Sequence, residues 1–403
     1  MVNDFEKPFD PYQCRIVIEP HLRATAKELI ESIGFGNRQL LVVCDNATHA
    51  AMGERIIRET GAEFLMLGGV PHADMAAVES VRHAKADALI AVGSGTINDI
   101  CKYASFLDCK EYAVFPTAPS MNGYFSANAS MTKNGHKLSL PAHLPKGIFC
   151  DLAVLAQAPR RLISSGLGDS LCRPTAQADW LLSHILWDTA YDPAPFTLLA
   201  PYEKELFSHS DKLMAGDMHV IELLIKTLLV SGLGMVLAKG SYPASQGEHL
   251  IAHTMEMKHG ASLPQSYHGE QIGVCTLAMA SLQQQLLSEN LILRKLDNPE
   301  RAITEYFGDA LAESVLRSYQ SKHNLYARYD TINQRLLTES SAIRDAIQAV
   351  TPPENFLHKV LVAAQCPIKA KDIGWKETDF HAATGHARFI RDRFTFLDLL
   401  VQR

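Results

Sequence analysis

The sequence predicts an α/β domain built on a parallel sheet over residues 1–160, followed by an all-α domain over residues 161–403. Three observations predict it. Short β-rich apolar runs alternate with helical runs in the first part of the chain, the pattern of βαβ units covered on both faces. Past about residue 160 the strand signals fade, and 3.6-residue periodicity takes over around Trp180, Ile221 and Leu282. The chain's 403 residues exceed one ordinary core and suit two. No internal repeat or low-complexity linker interrupts the pattern.

Each element follows from local composition. RQLLVVCDN (38–46) reads as a strand ending in an acidic turn, and ATHAAMGERIIRETG as a helix closed by Gly61. AEFLMLGG reads as a second strand, MAAVESVRHAKA as a helix, DALIAVGSG (87–95) as a third strand and YAVFPTAPS (112–120) as a fourth. IELLIKTLLVSGLGMVLAKG (221–240) is the most apolar stretch. Glu222, Lys226, Ser231 and its glycines interrupt it, so it reads as a buried helix rather than a membrane span.

Composition removes several function classes. Apolar residues make up 47% and charged residues 20%, an ordinary globular balance. The net charge of −6 argues against nucleic acid, which needs a basic face to neutralise phosphates, but leaves room for a small phosphorylated ligand. The start, MVNDFEKPFDPYQC, lacks the charged and apolar regions of a secretory signal, and a cytoplasmic protein is expected. Eight cysteines without a CxxC pair read as small buried hydrophobes.

Two stretches carry candidate chemistry. AVGSGTINDICKYAS (91–105) is strand, Gly-Ser-Gly, then helix, and free N–H groups at a helix start favour an anion. Neither the G-x-G-x-x-G nor the Walker spacing is present. Asp45, ending the first strand, could take the ribose hydroxyls of NAD, and a helix N-cap before ATHAAM fits equally well. The second stretch, GEHLIAHTMEMKHGASLPQSYHGEQIGV, holds four histidines. His249 and His253 share a helix face, and His268 lies before a new apolar helix. A carboxylate would complete a metal site, and Asp169 in SSGLGDSLCRPTAQADW, expected to open a helix, is the candidate. A chance i,i+4 pair among 17 histidines and an N-cap aspartate also fit. His259 has no assigned role.

These motifs together resemble the superfamily of iron-type alcohol dehydrogenases, glycerol dehydrogenases and dehydroquinate synthases, and within it the sn-glycerol-1-phosphate dehydrogenases. The matching pieces are GSGTINDICKYAS, FPTAPSMNGYFSANAS, GLGDSLCRPTAQADW, GEHLIAHTMEM with SYHGEQIGV, and HARFIRDRFTFLDLL. They occur in the family's order from about residue 38 to the end of the chain. The resemblance implies a dehydroquinate synthase-like fold with an N-terminal Rossmann-like domain and a helical metal- and substrate-binding domain.

It also implies site residues. The metal ligands fall on Asp169, His249 and His268, with His253 supporting the ligands from behind or relaying a proton rather than binding the ion. Gly93, Ser94, Gly95, Thr96 and Asp99 match the pyrophosphate loop and its helix. Thr117, Ser120 and Met121 match the segment lining the nicotinamide. Lys137 and Lys146 match basic positions near ribose and substrate, and two ordinary surface lysines fit as well.

Two departures stand out. Asn122 occupies a position that is usually acidic in the family, which keeps hydrogen bonding but removes a base. Pro174 is a poor helix-interior residue, so a helix starts or kinks there.

The implied activity is reversible reduction of dihydroxyacetone phosphate to sn-glycerol-1-phosphate. The implied cofactors are NAD or NADP, with NAD favoured because Asp45 would repel a 2′-phosphate, and one divalent metal, with Zn favoured over Ni or Fe. A glycerol or polyol dehydrogenase and a dehydroquinate-synthase-like cyclase are the alternatives, and Asn122 keeps the first of these open. A non-catalytic nucleotide sensor would have no need of a three-ligand metal set. The family suggests a homo-oligomer, a dimer or larger.

Overall fold

The computed structural model describes residues 5–133, 136–295 and 298–400. The chain divides into two compact units, Met1–Gly166 with Leu199–Val236, and Leu167–Leu198 with Leu237–Arg403. The single boundary expected after residue 160 is therefore corrected, because residues 199–236 return to the first unit. The helix Met218–Leu237 explains the return. It is long and apolar enough to cross a membrane, yet 72% of its most apolar window is buried inside the protein. A Cβ on its Gly232 would meet the carbonyl oxygens of Phe125 at 2.4 Å and Asn122 at 2.7 Å, so its backbone packs directly on that turn.

The first unit is organised by a six-stranded parallel sheet. Its strands are β1 (Arg15–Glu19), β2 (Leu40–Asp45), β3 (Glu63–Leu67), β4 (Ala88–Gly93), β5 (Glu111–Pro116) and β8 (Gly147–Asp151). Strands β6 (Asn128–Lys133) and β7 (His136–Pro141) form a separate antiparallel hairpin. The sheet order is β1-β8-β5-β4-β2-β3. Four of the strands stand where the apolar runs predict them. β1, β8 and the hairpin were not anticipated. The chain passes from β5 to β8 through the hairpin rather than a helix, so the alternation that betrays βαβ units is missing there.

The topology prepares one edge of this sheet. β2 connects onward to β3 on one side, and β4 to β5 on the other. The carboxyl ends of β2 and β4 thus flank a topological switch point, where open α/β sheets form a ligand crevice. The register pairs Val43 with Ala91, which brings Asp45 and Gly93 abreast at that edge.

In the second unit the described residues contain helices and no strand. A cluster from Cys172 to Leu399 forms its core. The helix Arg160–Ser170 stops, and Arg173–Trp187 begins with Pro174 in its first turn, where a missing N–H costs nothing. Pro174 therefore marks a start rather than a kink. Asp169 does not open a helix as expected, since it is the next-to-last residue of the preceding one. All eight cysteines are free thiols, and six are buried.

Gly166 gives a direct test of the first unit's packing. A Cβ there would lie 1.7 Å from the carbonyl oxygen of Pro119. Gly166→Ala should destabilise the protein by about 2 kcal/mol or more, read as a lower urea midpoint at unchanged slope. An unchanged midpoint would contradict the close approach.

Candidate active site

The glycine loop follows β4 at the switch-point edge. Gly93 and Gly95 are needed for space. A Cβ on Gly93 would lie 2.5 Å from Ile97 Cβ, and one on Gly95 would lie 2.7 Å from Met121 Sδ. Ser94 caps the helix Gly95–Leu107 in extended conformation, with no side-chain cap bond, and Thr96 lies in its first turn. Thr117 donates its N–H to the Gly93 carbonyl at 3.1 Å. The structure thus brings together Gly93, Ser94, Gly95, Thr117 and Met121 beside a helix start whose first N–H groups lack helical partners. The Ser120 carbonyl accepts from Ser165 Oγ at 3.3 Å, and Asn122 Nδ2 donates to Ser231 Oγ at 3.4 Å.

The two acidic candidates carry structural bonds. Asp45 Oδ1 accepts from Thr48 N at 2.8 Å, while Asp45 N donates to Thr48 Oγ1 at 2.9 Å, a reciprocal helix cap. Asp99 Oδ2 accepts from Ser130 N at 3.0 Å and Oδ1 from Asn98 Nδ2 at 2.9 Å, which ties the glycine-loop helix to the β6 hairpin.

Two lysines resolve differently. Lys146 sits before β8, at the amino edge of the sheet and opposite the glycine loop, 3.1 Å from Glu111 Oε1. That position makes it a surface ion pair and corrects its assignment near the ligand. Lys137 pairs through its backbone with Thr132, and its side chain lies outside the described residues.

Sequence reasoning missed Lys102, which lies about two turns after Gly95 on the glycine-loop helix. Its fully buried Nζ donates to Gly123 O at 2.6 Å, Ser126 Oγ at 3.1 Å and Asn128 O at 3.1 Å, with Asp99 Oδ1 at 3.8 Å. It pins the turn that follows Met121 and Asn122. Burial, partly offset by Asp99, pushes its ammonium down to about 8.

The second unit gathers the three metal candidates. Asp169, His249 and His268 each offer one ligand atom, all within 4.8 Å of one another. Asp169 Oδ1 lies 4.0 Å from His249 Nε2 and 3.9 Å from His268 Nε2. These separations are too long for hydrogen bonds. Two ligands on a tetrahedral ion with 2.0–2.1 Å bonds stand about 3.4 Å apart, so the carboxylate would have to close on each imidazole by roughly half an ångström to seat one. Two imidazoles and a buried carboxylate are a suitable donor set for a first-row divalent ion.

Gly168 permits this convergence. A Cβ there would lie 2.1 Å from the Gly269 carbonyl oxygen, so only a glycine lets the Asp169 helix approach the His268 turn so closely. His253 has its ring centroid 6.0 Å from those of both His249 and His268. Its Nδ1 lies 3.0 Å from Glu256 Oε2. His259 ends the same helix and is not part of the group.

Two neighbours went unseen in the sequence. Cys172, Glu248 and His249 form a second buried donor group that shares the histidine. Burial would raise the Glu248 carboxyl, but bonds from His249 and the backbone hold it below the ordinary glutamate range. Only i,i+3 and i,i+4 spacings signal helix-surface contacts, so an adjacent Glu-His pair gives no warning.

Comparison with known proteins fits this geometry. A model of the iron-containing alcohol dehydrogenase family matches residues 17–159. A glycerol-1-phosphate dehydrogenase [NAD(P)+] of Halalkalibacterium halodurans is 35% identical over 317 residues, covering 77% of this chain and 70% of the relative. The chain belongs to the iron-containing alcohol dehydrogenase family. It is an enzyme of the alcohol dehydrogenase type. The Bacillus subtilis glycerol-1-phosphate dehydrogenase [NAD(P)+] is 29% identical over 377 residues, covering 90% of this chain and 85% of its own length. Among solved structures of the family's fold, glycerol dehydrogenase from Schizosaccharomyces pombe superposes with a TM-score of 0.56 at 18% identity, covering 91% of this chain and 92% of its own.

Lys102 makes a pH prediction. Its folded pKa of about 8 lies below the ordinary lysine value of 10.5, so the unfolded chain binds more protons between those values. Stability from this group therefore rises with pH across that window. Relative to Lys102→Gln, the wild type should gain on the order of 3 kcal/mol between pH 8 and 10.5, followed by chemical denaturation. A pH-independent difference would contradict the burial.

Proposed function

We propose that this enzyme reduces the carbonyl of dihydroxyacetone phosphate to sn-glycerol-1-phosphate, reversibly, with NAD(P)H and one divalent metal. The observation that carries the proposal is the convergence of Asp169, His249 and His268 on one point. The names of the curated relatives support the substrate.

In this reading Asp169, His249 and His268 hold the metal, which when bound supplies a Lewis acid to a substrate oxygen, while the nicotinamide supplies hydride. The N–H groups around Gly93, Ser94, Gly95 and Thr96 receive the pyrophosphate, and Thr117, Ser120 and Met121 line the nicotinamide side. Asp99 holds the glycine-loop helix against its hairpin. Asp45, capped through one oxygen, faces the ribose and disfavours a 2′-phosphate, so NAD is favoured over NADP. His253 keeps its Nδ1 on Glu256 and moves a proton through Nε2 as the carbonyl oxygen becomes a hydroxyl. Lys137 and Asn122 are assigned to substrate. Zn is favoured over Ni or Fe as the ion. Family resemblance extends the proposal to a cytoplasmic homo-oligomer.

The test is an anaerobic NAD(P)H oxidation assay with dihydroxyacetone phosphate, on protein stripped of metal and reloaded with Zn, Ni or Fe(II). Oxidation should depend on the metal and fall roughly 100-fold or more in His249→Ala, the loss of several kcal/mol of transition-state stabilisation. No oxidation with any metal, while NADH still binds, would overturn the substrate assignment. Asn122 would then favour a polyol substrate.

His253→Gln isolates the proton step. It should lower kcat by about 10²–10⁴-fold while metal content stays at the wild-type level. An unchanged rate would remove His253 from the mechanism.

A further inference from the structure

Glu248 is fully buried, yet the chemistry just described does not use it. Its carboxylate is surrounded by donors. Oε1 accepts from Gln246 N at 2.7 Å and lies 2.9 Å from His249 Nδ1, and the Thr175 hydroxyl stands 3.1 Å from Oε2. A helix cap needs only the bond to Gln246. The bond to His249 is additional, and it determines what the other ring nitrogen can do. With the Nδ1 proton held on Glu248, Nε2 presents its lone pair toward Asp169 Oδ1.

We infer that Glu248 is the positioning residue of the metal site, fixing the His249 tautomer and ring orientation and raising the basicity of Nε2. This inference rests on the metal reading of Asp169, His249 and His268. Carboxylates commonly act this way behind metal-bound histidines, and losing one costs about 10–100-fold in metal affinity.

A second buried carboxylate supports Glu248. Asp179 Oδ2 accepts from Gly247 N at 2.9 Å. Its Oδ1 accepts from Phe396 N at 2.9 Å and Gln283 Nε2 at 3.3 Å. Gln283 Nε2 also donates to the Thr175 carbonyl at 3.0 Å. The residues just before and at the start of the His249 helix are thus held from two sides, Gln246 by Glu248 and Gly247 by Asp179. Glu248, held ionised, also places negative charge where the helix N-terminus favours it. The ring that must aim at the ion is therefore carried by a helix start that cannot easily rotate.

The test uses two variants. Glu248→Gln keeps an oxygen acceptor for Nδ1–H but removes the charge. Glu248→Met removes the acceptor. In metal-free protein, ¹⁵N NMR of labelled histidine, with His249→Asn to assign the signal, should show the Nδ1–H form of His249 in the wild type and in Glu248→Gln. Glu248→Met should lose that preference. Zn affinity, measured by competition with a chromophoric chelator, should fall about 10–100-fold in Glu248→Gln and further in Glu248→Met. NADH binding should stay unchanged in both, which separates a positioning effect from failure to fold.

An Nε2–H form of His249 in the wild type, or Zn affinities within threefold of wild type in both variants, would overturn the inference. If the wild type binds no metal, the metal reading fails instead, and the tautomer measurement still decides whether Glu248 sets the ring.

Discussion

The second unit depends on a carboxylate buried among backbone N–H groups. Asp179 ties together the helix it sits on, the start of the His249 helix, Gln283 of the His268 helix, and the C-terminal segment at Phe396. Burial and the charge of Glu248 push its carboxyl up to about 8, against the pull of those bonds. A polar group so placed is costly unless satisfied, and satisfying it fixes which backbone atoms must meet. Three helices and the C-terminal segment are held together through it. His249 and His268 sit on two of these helices.

Space performs the matching task in both units. Gly93 and Gly95 let the loop after β4 lie against Ile97 and Met121, and Gly168 lets the Asp169 helix touch the backbone of Gly269. None of the three has a positive φ. Their job is to leave out a side chain where two backbones, or a backbone and a side chain, must come close. Gly-x-Gly patterns before a helix therefore announce close approach, and the identity of the approaching group has to come from elsewhere in the fold.

The legible parts of the chain were those that depend on local periodicity. Strands β2 to β5 stand where apolar runs between helices place them, and the helical character of the later chain follows from its 3.6-residue pattern. β1 and β8 stayed hidden because each is a five-residue run lacking a flanking helix on one side, and their pairing with each other spans more than 100 residues of sequence. The return of residues 199–236 to the first unit also left no local mark, because a buried helix reads the same whichever core receives it. At the site, His249, His268 and Asp169 could be listed from motif resemblance, but their convergence depends on the close approach that Gly168 allows. Lys102, Thr175, Asp179 and Glu248 were invisible for a common reason. Lys102, Thr175 and Asp179 bond to atoms distant in sequence and Glu248 to its immediate neighbours, so none sits at a spacing that signals contact.

In the proposed reading one ion would be held by Asp169, His249 and His268 rather than by the adjacent Cys172, Glu248 and His249 group. X-ray absorption at the Zn edge of the reloaded protein tests it directly. Two imidazole nitrogens and a light oxygen shell at about 2.0–2.1 Å, with no sulfur, are expected. A sulfur shell at about 2.3 Å would place the ion on Cys172 and contradict it.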